Sequence, residues 1–124
     1  MKQKRYSGGI KLSEEDDLVK EITDKNYKEL IKDDDFIVLE LWATWCAPCM
    51  YMEPILESLA KEFEERVLFG KVNVEKSKNI CSEFDIQCLP SVLFVKKGEM
   101  AEKVVGKMEE DEFRKKLKQN FDIE

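Results

Sequence analysis

The chain has 124 residues, 43% of them hydrophobic, with 21 Lys and Arg against 27 Asp and Glu and only 5 Gly and 3 Pro. That balance excludes a disordered or low-complexity chain and suits one compact domain with a core of its own. The formal net charge of −6 disfavours nucleic acid and anionic membrane as partners.

Taken in order, Lys2, Lys4 and Arg5 make the start basic, but no apolar targeting segment follows. No stretch approaches the roughly 18 apolar residues of a membrane span. A cytoplasmic protein is expected, in which four cysteines serve as catalytic or free thiols rather than as a stapling framework. Residues 1–12 read as a flexible tail and residues 13–124 as the domain, opening on an acidic patch at 13–17 that carries no chemistry. Residues 18–22 suit a short edge strand. Thr23 is expected to cap a brief helix over 26–32, which Asp33, Asp34 and Asp35 end. Residues 36–42 are apolar on both faces apart from Glu40, the pattern of a central strand buried between helices.

Directly after that strand stands Trp45-Cys46-Ala47-Pro48-Cys49. A thiolate at Cys46 would begin a helix, where free backbone N–H groups and the positive end of the macrodipole favour negative charge, so Cys46 is the expected nucleophile. Cys49, one turn on, is placed to resolve a mixed disulfide on Cys46, and Pro48 restricts the backbone between them. A C-x-x-C pair is also half of a zinc site, but Cys81 and Cys88 are too far apart for a second knuckle, and no metal is expected. Met52, Ile55, Leu56, Leu59, Ala60 and Phe63 recur at helical spacing over 46–63, with Pro54 inside and a kink expected there.

A buried strand over 67–74 and a short helix over 77–84 follow, then a loop through Cys88, Leu89 and Pro90. Strands over 91–96 and 100–105 are joined by Lys97, Gly98 and Glu99 in a tight hairpin. A last helix over 109–120 buries Phe113 and Leu117, with acids at its start and lysines toward its end. The order β-α-β-α-β-α-β-β-α predicts an α/β fold with one mixed sheet, parallel where helices alternate and antiparallel at the hairpin.

Glu40, the acid in an otherwise apolar strand, is costly to bury ionised, and desolvation should raise its pKa unless it lies at the strand end and meets solvent. By alternation Glu40 shares a face with Val38 and Trp42, and Lys71 shares one with Phe69, so that in adjacent strands the two could pair. Cys81 reads as a small buried hydrophobe, whereas Cys88 lies in the loop bordering the dithiol and should meet substrates and oxidants. Whether Cys81 and Cys88 can bond to each other is open at this spacing. Trp45, Ala47, Pro48 and Leu89 are expected to form a flat apolar contact surface.

Trp45-Cys46-Ala47-Pro48-Cys49, with Glu40 six residues before, Pro54 eight after Cys46, then Lys71, Pro90, Gly98 and Gly106, resembles the thioredoxin family across residues 19–121. The resemblance implies the thioredoxin fold, a five-stranded mixed sheet flanked by helices on both faces, and thiol-disulfide oxidoreductase chemistry. It implies that Pro90 is a cis-proline facing the dithiol, that Glu40 takes the proton of Cys49 through water, and that Lys71 tunes it. Two positions depart from the family pattern: Ala47 stands where glycine is usual, and Glu40 where aspartate is. The expected activity is reduction of disulfide-bearing proteins by a monomer without an organic cofactor. There is no dinucleotide-binding glycine motif, and the resemblance points to a flavin-containing, NADPH-dependent thioredoxin reductase as electron donor. The other reading is a binding module that docks extended peptides at the Leu89–Pro90 edge, its redox chemistry incidental.

Overall fold

A computed structural model describes residues 6–7, 10–11 and 18–124. Strands β1 (Tyr6–Ser7) and β2 (Ile10–Lys11) pair antiparallel as a ribbon of their own. The rest of the expected tail and the acidic patch at 13–17 lie outside the described residues. From residue 18 onward the elements are β3 (Val19–Glu21), α1 (Tyr27–Asp33), β4 (Phe36–Trp42), α2 (Ala47–Glu62), β5 (Leu68–Asn73), α3 (Lys78–Glu83), β6 (Ser91–Lys96), β7 (Glu99–Val105) and α4 (Glu110–Phe121).

Five strands form one sheet in the order β3-β5-β4-β6-β7, parallel across β3, β5 and β4 and antiparallel across β4, β6 and β7. The alternation of β4 explains why it is central. Ile37, Leu39 and Leu41 face a layer with Tyr27 of α1 and Ile80 of α3, while Val38 faces Met52 and Leu56 of α2 and Phe113 and Leu117 of α4. Both faces of the strand are therefore covered by helices, which is what a continuous apolar run requires. Phe36 stacks on Phe121 at 4.9 Å, so the last helix closes over the end of β4. Arg114 of α4 bonds Glu62 of α2 at 3.0 Å and Glu110 at 2.8 Å, joining the two helices on that face.

The hairpin turns through Lys97 and Gly98, both at positive φ (51° and 85°), the geometry that matches the twist of the strands it joins. Thr23 differs from expectation. The residue before α1 is Asn26, and Thr23 instead serves the preceding turn, its carbonyl accepting from the N–H groups of Asn26 and Tyr27. Helix α2 runs unbroken through Pro54.

Candidate active site

The C-terminal end of β4 delivers the chain to the dithiol. After Trp42 the backbone turns, Cys46 N–H bonding the Ala43 carbonyl at 3.1 Å, and Cys46 in extended conformation becomes the residue that caps α2. Its Sγ accepts from the N–H of Cys49 at 3.2 Å, the position a helix N-terminus offers to an acceptor with negative character. The two sulfurs form a disulfide, with Cα atoms 5.3 Å apart, and both side chains are almost covered. Pro48 falls in the first turn of α2, where its missing N–H costs no helical bond.

The peptide bond between Leu89 and Pro90 is cis, and Pro90 with Leu89 faces Ala47 and Pro48 across an open groove of about 430 Å³. Tyr51, Gly106 and Lys107 complete its lining. Gly106 N–H bonds the Pro90 carbonyl at 2.8 Å, tying the loop to the end of β7, and its φ of 104° suits a residue without a Cβ. Trp45 is 69% exposed and stands outside the groove lining, as does the exposed Cys88. Cys81 is half-buried rather than buried, and burial together with the Asp24 carboxylate pushes its thiol pKa up. Cys81 and Cys88 are both free thiols.

Tyr51 and Lys107 of the groove belong to a polar cluster that the sequence reading missed. Tyr51 Oη donates to Glu109 Oε1 at 2.6 Å, and Lys107 Nζ lies 4.4 Å from the Tyr51 ring centre and 3.5 Å from Glu109. The Tyr51 hydroxyl holds the Glu109 carboxyl below the usual range and is itself pushed up. The signal for Tyr51 was present: it stands one helical turn beyond Ala47 and Pro48.

Glu40 sits mid-strand and is 2% exposed, not at a solvent-exposed strand end. Among the described residues its Oε2 has no hydrogen-bond partner. Burial pushes the Glu40 carboxyl up to about 7; the negative charge of Glu53 adds to the rise and the positive charge of Lys71 offsets part of it. Register places Lys71 directly beside Glu40, on the same side of the sheet, as expected. The expected ion pair does not form there. Lys71 Nζ instead bonds Glu53 Oε2 of α2 at 2.8 Å and lies 5.6 Å from the centre of the Trp42 ring. Glu53 follows Cys49 by four positions on one helix, the spacing that puts both on one face, and that was the signal available for it.

Among the described residues no group of three or more cysteines and acids is arranged to hold a metal ion, and no helix is long and apolar enough to cross a membrane.

A family model described as Thioredoxin matches residues 18–119. The Thioredoxin of Borreliella burgdorferi is 36% identical over 113 residues, 90% of this chain and 97% of that protein. The Thioredoxin of Chlorobaculum thiosulfatiphilum is 33% identical over 102 residues, covering 82% of this chain and 94% of its own length. That of Buchnera aphidicola subsp. Acyrthosiphon pisum is 32% identical over the same lengths and shares.

Proposed function

The chain belongs to the thioredoxin family and is a protein thiol-disulfide oxidoreductase; from that premise we propose that it runs in the direction of disulfide reduction, with the following division of labour. The Cys46 thiolate attacks one sulfur of a substrate disulfide, forming a mixed disulfide and releasing the first substrate thiolate. Cys49 gives its proton to the Glu40 carboxylate through water, and its thiolate attacks Cys46 Sγ. The second substrate thiolate leaves, and two electrons have passed from the chain, which now holds the Cys46–Cys49 disulfide. Glu40 suits this task because a carboxyl with a pKa near 7 both accepts and returns a proton at neutral pH.

The groove between Ala47, Pro48, Leu89 and Pro90 receives the polypeptide on either side of the substrate disulfide, with Trp45 and Cys88 on the surrounding surface. Lys71 tunes Glu40. A separate reductase, flavin-containing and NADPH-dependent, returns two electrons to the disulfide. The chain works as a monomer in the cytoplasm, a reducing compartment in keeping with the free thiols of Cys81 and Cys88.

The observation that carries this reading is the Cys46 sulfur capping α2, held by the Cys49 N–H, beside a groove ending on cis-Pro90. The test is turnover of a disulfide-bearing protein with dithiothreitol as electron source. Wild type accelerates the reaction, Cys46→Ser does not, and Cys49→Ser accumulates substrate linked to Cys46. Turnover by Cys46→Ser at the wild-type rate contradicts the assignment.

A further inference from the structure

Two carboxylates compete for one ammonium on the sheet face that α2 covers. Glu40 and Lys71 are register partners in the parallel β4–β5 pair, the nearest neighbours the sheet provides. Yet Lys71 Nζ is bonded 2.8 Å from Glu53 Oε2, turned toward α2 and the Trp42 ring, while Glu40 Oε2 stays buried without a partner. A buried carboxylate beside a lysine ordinarily takes it as a counter-ion, because an unpaired charge in the interior is costly.

We propose that Glu53 is a positioning residue that holds the Lys71 ammonium away from Glu40, leaving Glu40 unpaired so that its proton remains exchangeable with Cys49. The inference rests on the acid–base role of Glu40 proposed above. The groups facing Glu40 are few. Helix α2 contributes Glu53, with Cys49 four positions before it on the same helix face, β5 contributes Lys71, and β6 contributes the uncharged register partner Val92. The remaining buried layer there, Val38, Met52, Leu56 and, from α4, Phe113 and Leu117, carries no charge. Among the described residues Lys71 is thus the one cation of the set, and the acid that captures it decides how Glu40 titrates. With Glu53 in place, Glu40 behaves as a desolvated acid whose neighbouring positive charge is bonded elsewhere; without it, Lys71 is free to close on Glu40 and fix it as a carboxylate, a poor partner for a proton that must come back.

The experiment follows the Glu40 side-chain carboxyl by carbon NMR against pH in the oxidised protein, where Cys46 and Cys49 do not titrate. Four proteins are compared: wild type, Glu53→Gln, Lys71→Met and the double variant. Glu53→Gln should lower the Glu40 midpoint by about one pH unit or more, the size of effect an opposite charge at close range produces. In the Lys71→Met background the same substitution should lower it by much less, since only the direct repulsion of Glu53 is then removed. No movement in Glu53→Gln, or an equal movement with and without Lys71, overturns the proposal. The proton-transfer reading fails separately. If Glu40→Gln leaves the Cys49 step unchanged, Glu40 is not the acceptor, whatever the titrations show.

Discussion

The N–H of Cys49 points at the sulfur of Cys46 from 3.2 Å, inside the first turn of the helix that Cys46 caps. In the reduced protein the same donor, with the helix terminus behind it, favours a thiolate at Cys46 and offers nothing comparable to Cys49. A brief iodoacetamide pulse at neutral pH should label Cys46 first. Exposed Cys88 should follow, with Cys49 and half-buried Cys81 last. Mass mapping reads the order, and early labelling of Cys49 would reverse the assignment of nucleophile and resolving thiol.

The Glu40 carboxyl has a measurable cost. Its pKa is about 7 in the folded protein against 4.5 for an ordinary glutamate, so between those values the unfolded chain loses the proton while the folded one keeps it. Stability therefore falls as pH rises from about 4.5 to about 7, by about 3 kcal/mol in all, and is fully present only below that window. Glu40→Gln should remove this slope and make the oxidised protein more stable than wild type at pH 8. Denaturant titrations at pH 4.5 and pH 8 check it; parallel curves for the two proteins would mean that Glu40 is not desolvated.

Proton transfer should be visible in the kinetics of the two sulfur steps. Glu40→Gln is expected to slow attack by Cys49 on the mixed disulfide by about 100-fold or more, the usual worth of a general base, and to leave attack by Cys46 nearly unchanged. Stopped-flow tryptophan fluorescence separates the steps. Equal slowing of both would assign Glu40 a structural part only.

Gly70 in β5 gives a packing prediction. A Cβ there would overlap Ile22 Cγ1 and stand 3.3 Å from Leu39 Cδ2, in the layer beneath α1 and α3. Gly70→Ala should cost about 1 to 3 kcal/mol in a denaturant melt, through displaced neighbours rather than lost function. A neutral substitution would show that this layer yields more easily than its packing indicates.

These effects differ in how far the sequence foretells them. The apolar run of β4, the helical spacing after Cys46 and the turn at Gly98 are local signals, and each element formed where its signal lies. The face carrying Glu40 and Lys71 was also legible, since strand alternation decides it. Which acid takes Lys71 was not: two carboxylates lie within its reach, and the choice depends on how α2 is laid over the sheet. The groove was half legible for the same reason. Ala47 and Pro48 come from one motif, but Lys107 enters from beyond β7 and meets Tyr51 only in the folded chain. Thr23 was misread because a local cap competes with a turn; helix α3, meanwhile, takes N–H capping from Asp24, a residue distant in sequence, which bonds Asn79 at 3.1 Å and Ile80 at 3.0 Å.

The direction of electron flow is decided by the stability of the Cys46–Cys49 disulfide relative to the dithiol. Between the cysteines stand Ala47 and Pro48, both uncharged, and the chain has no histidine to stabilise the thiolate further. The reduced form then owes its thiolate to the helix terminus alone, and the disulfide is comparatively stable. Equilibration against a glutathione buffer of known potential, with the two redox states quantified by mass after thiol trapping, measures this balance directly. A midpoint near the thioredoxin value of about −270 mV is predicted, and one above about −200 mV would mean that this protein makes disulfides rather than reduces them.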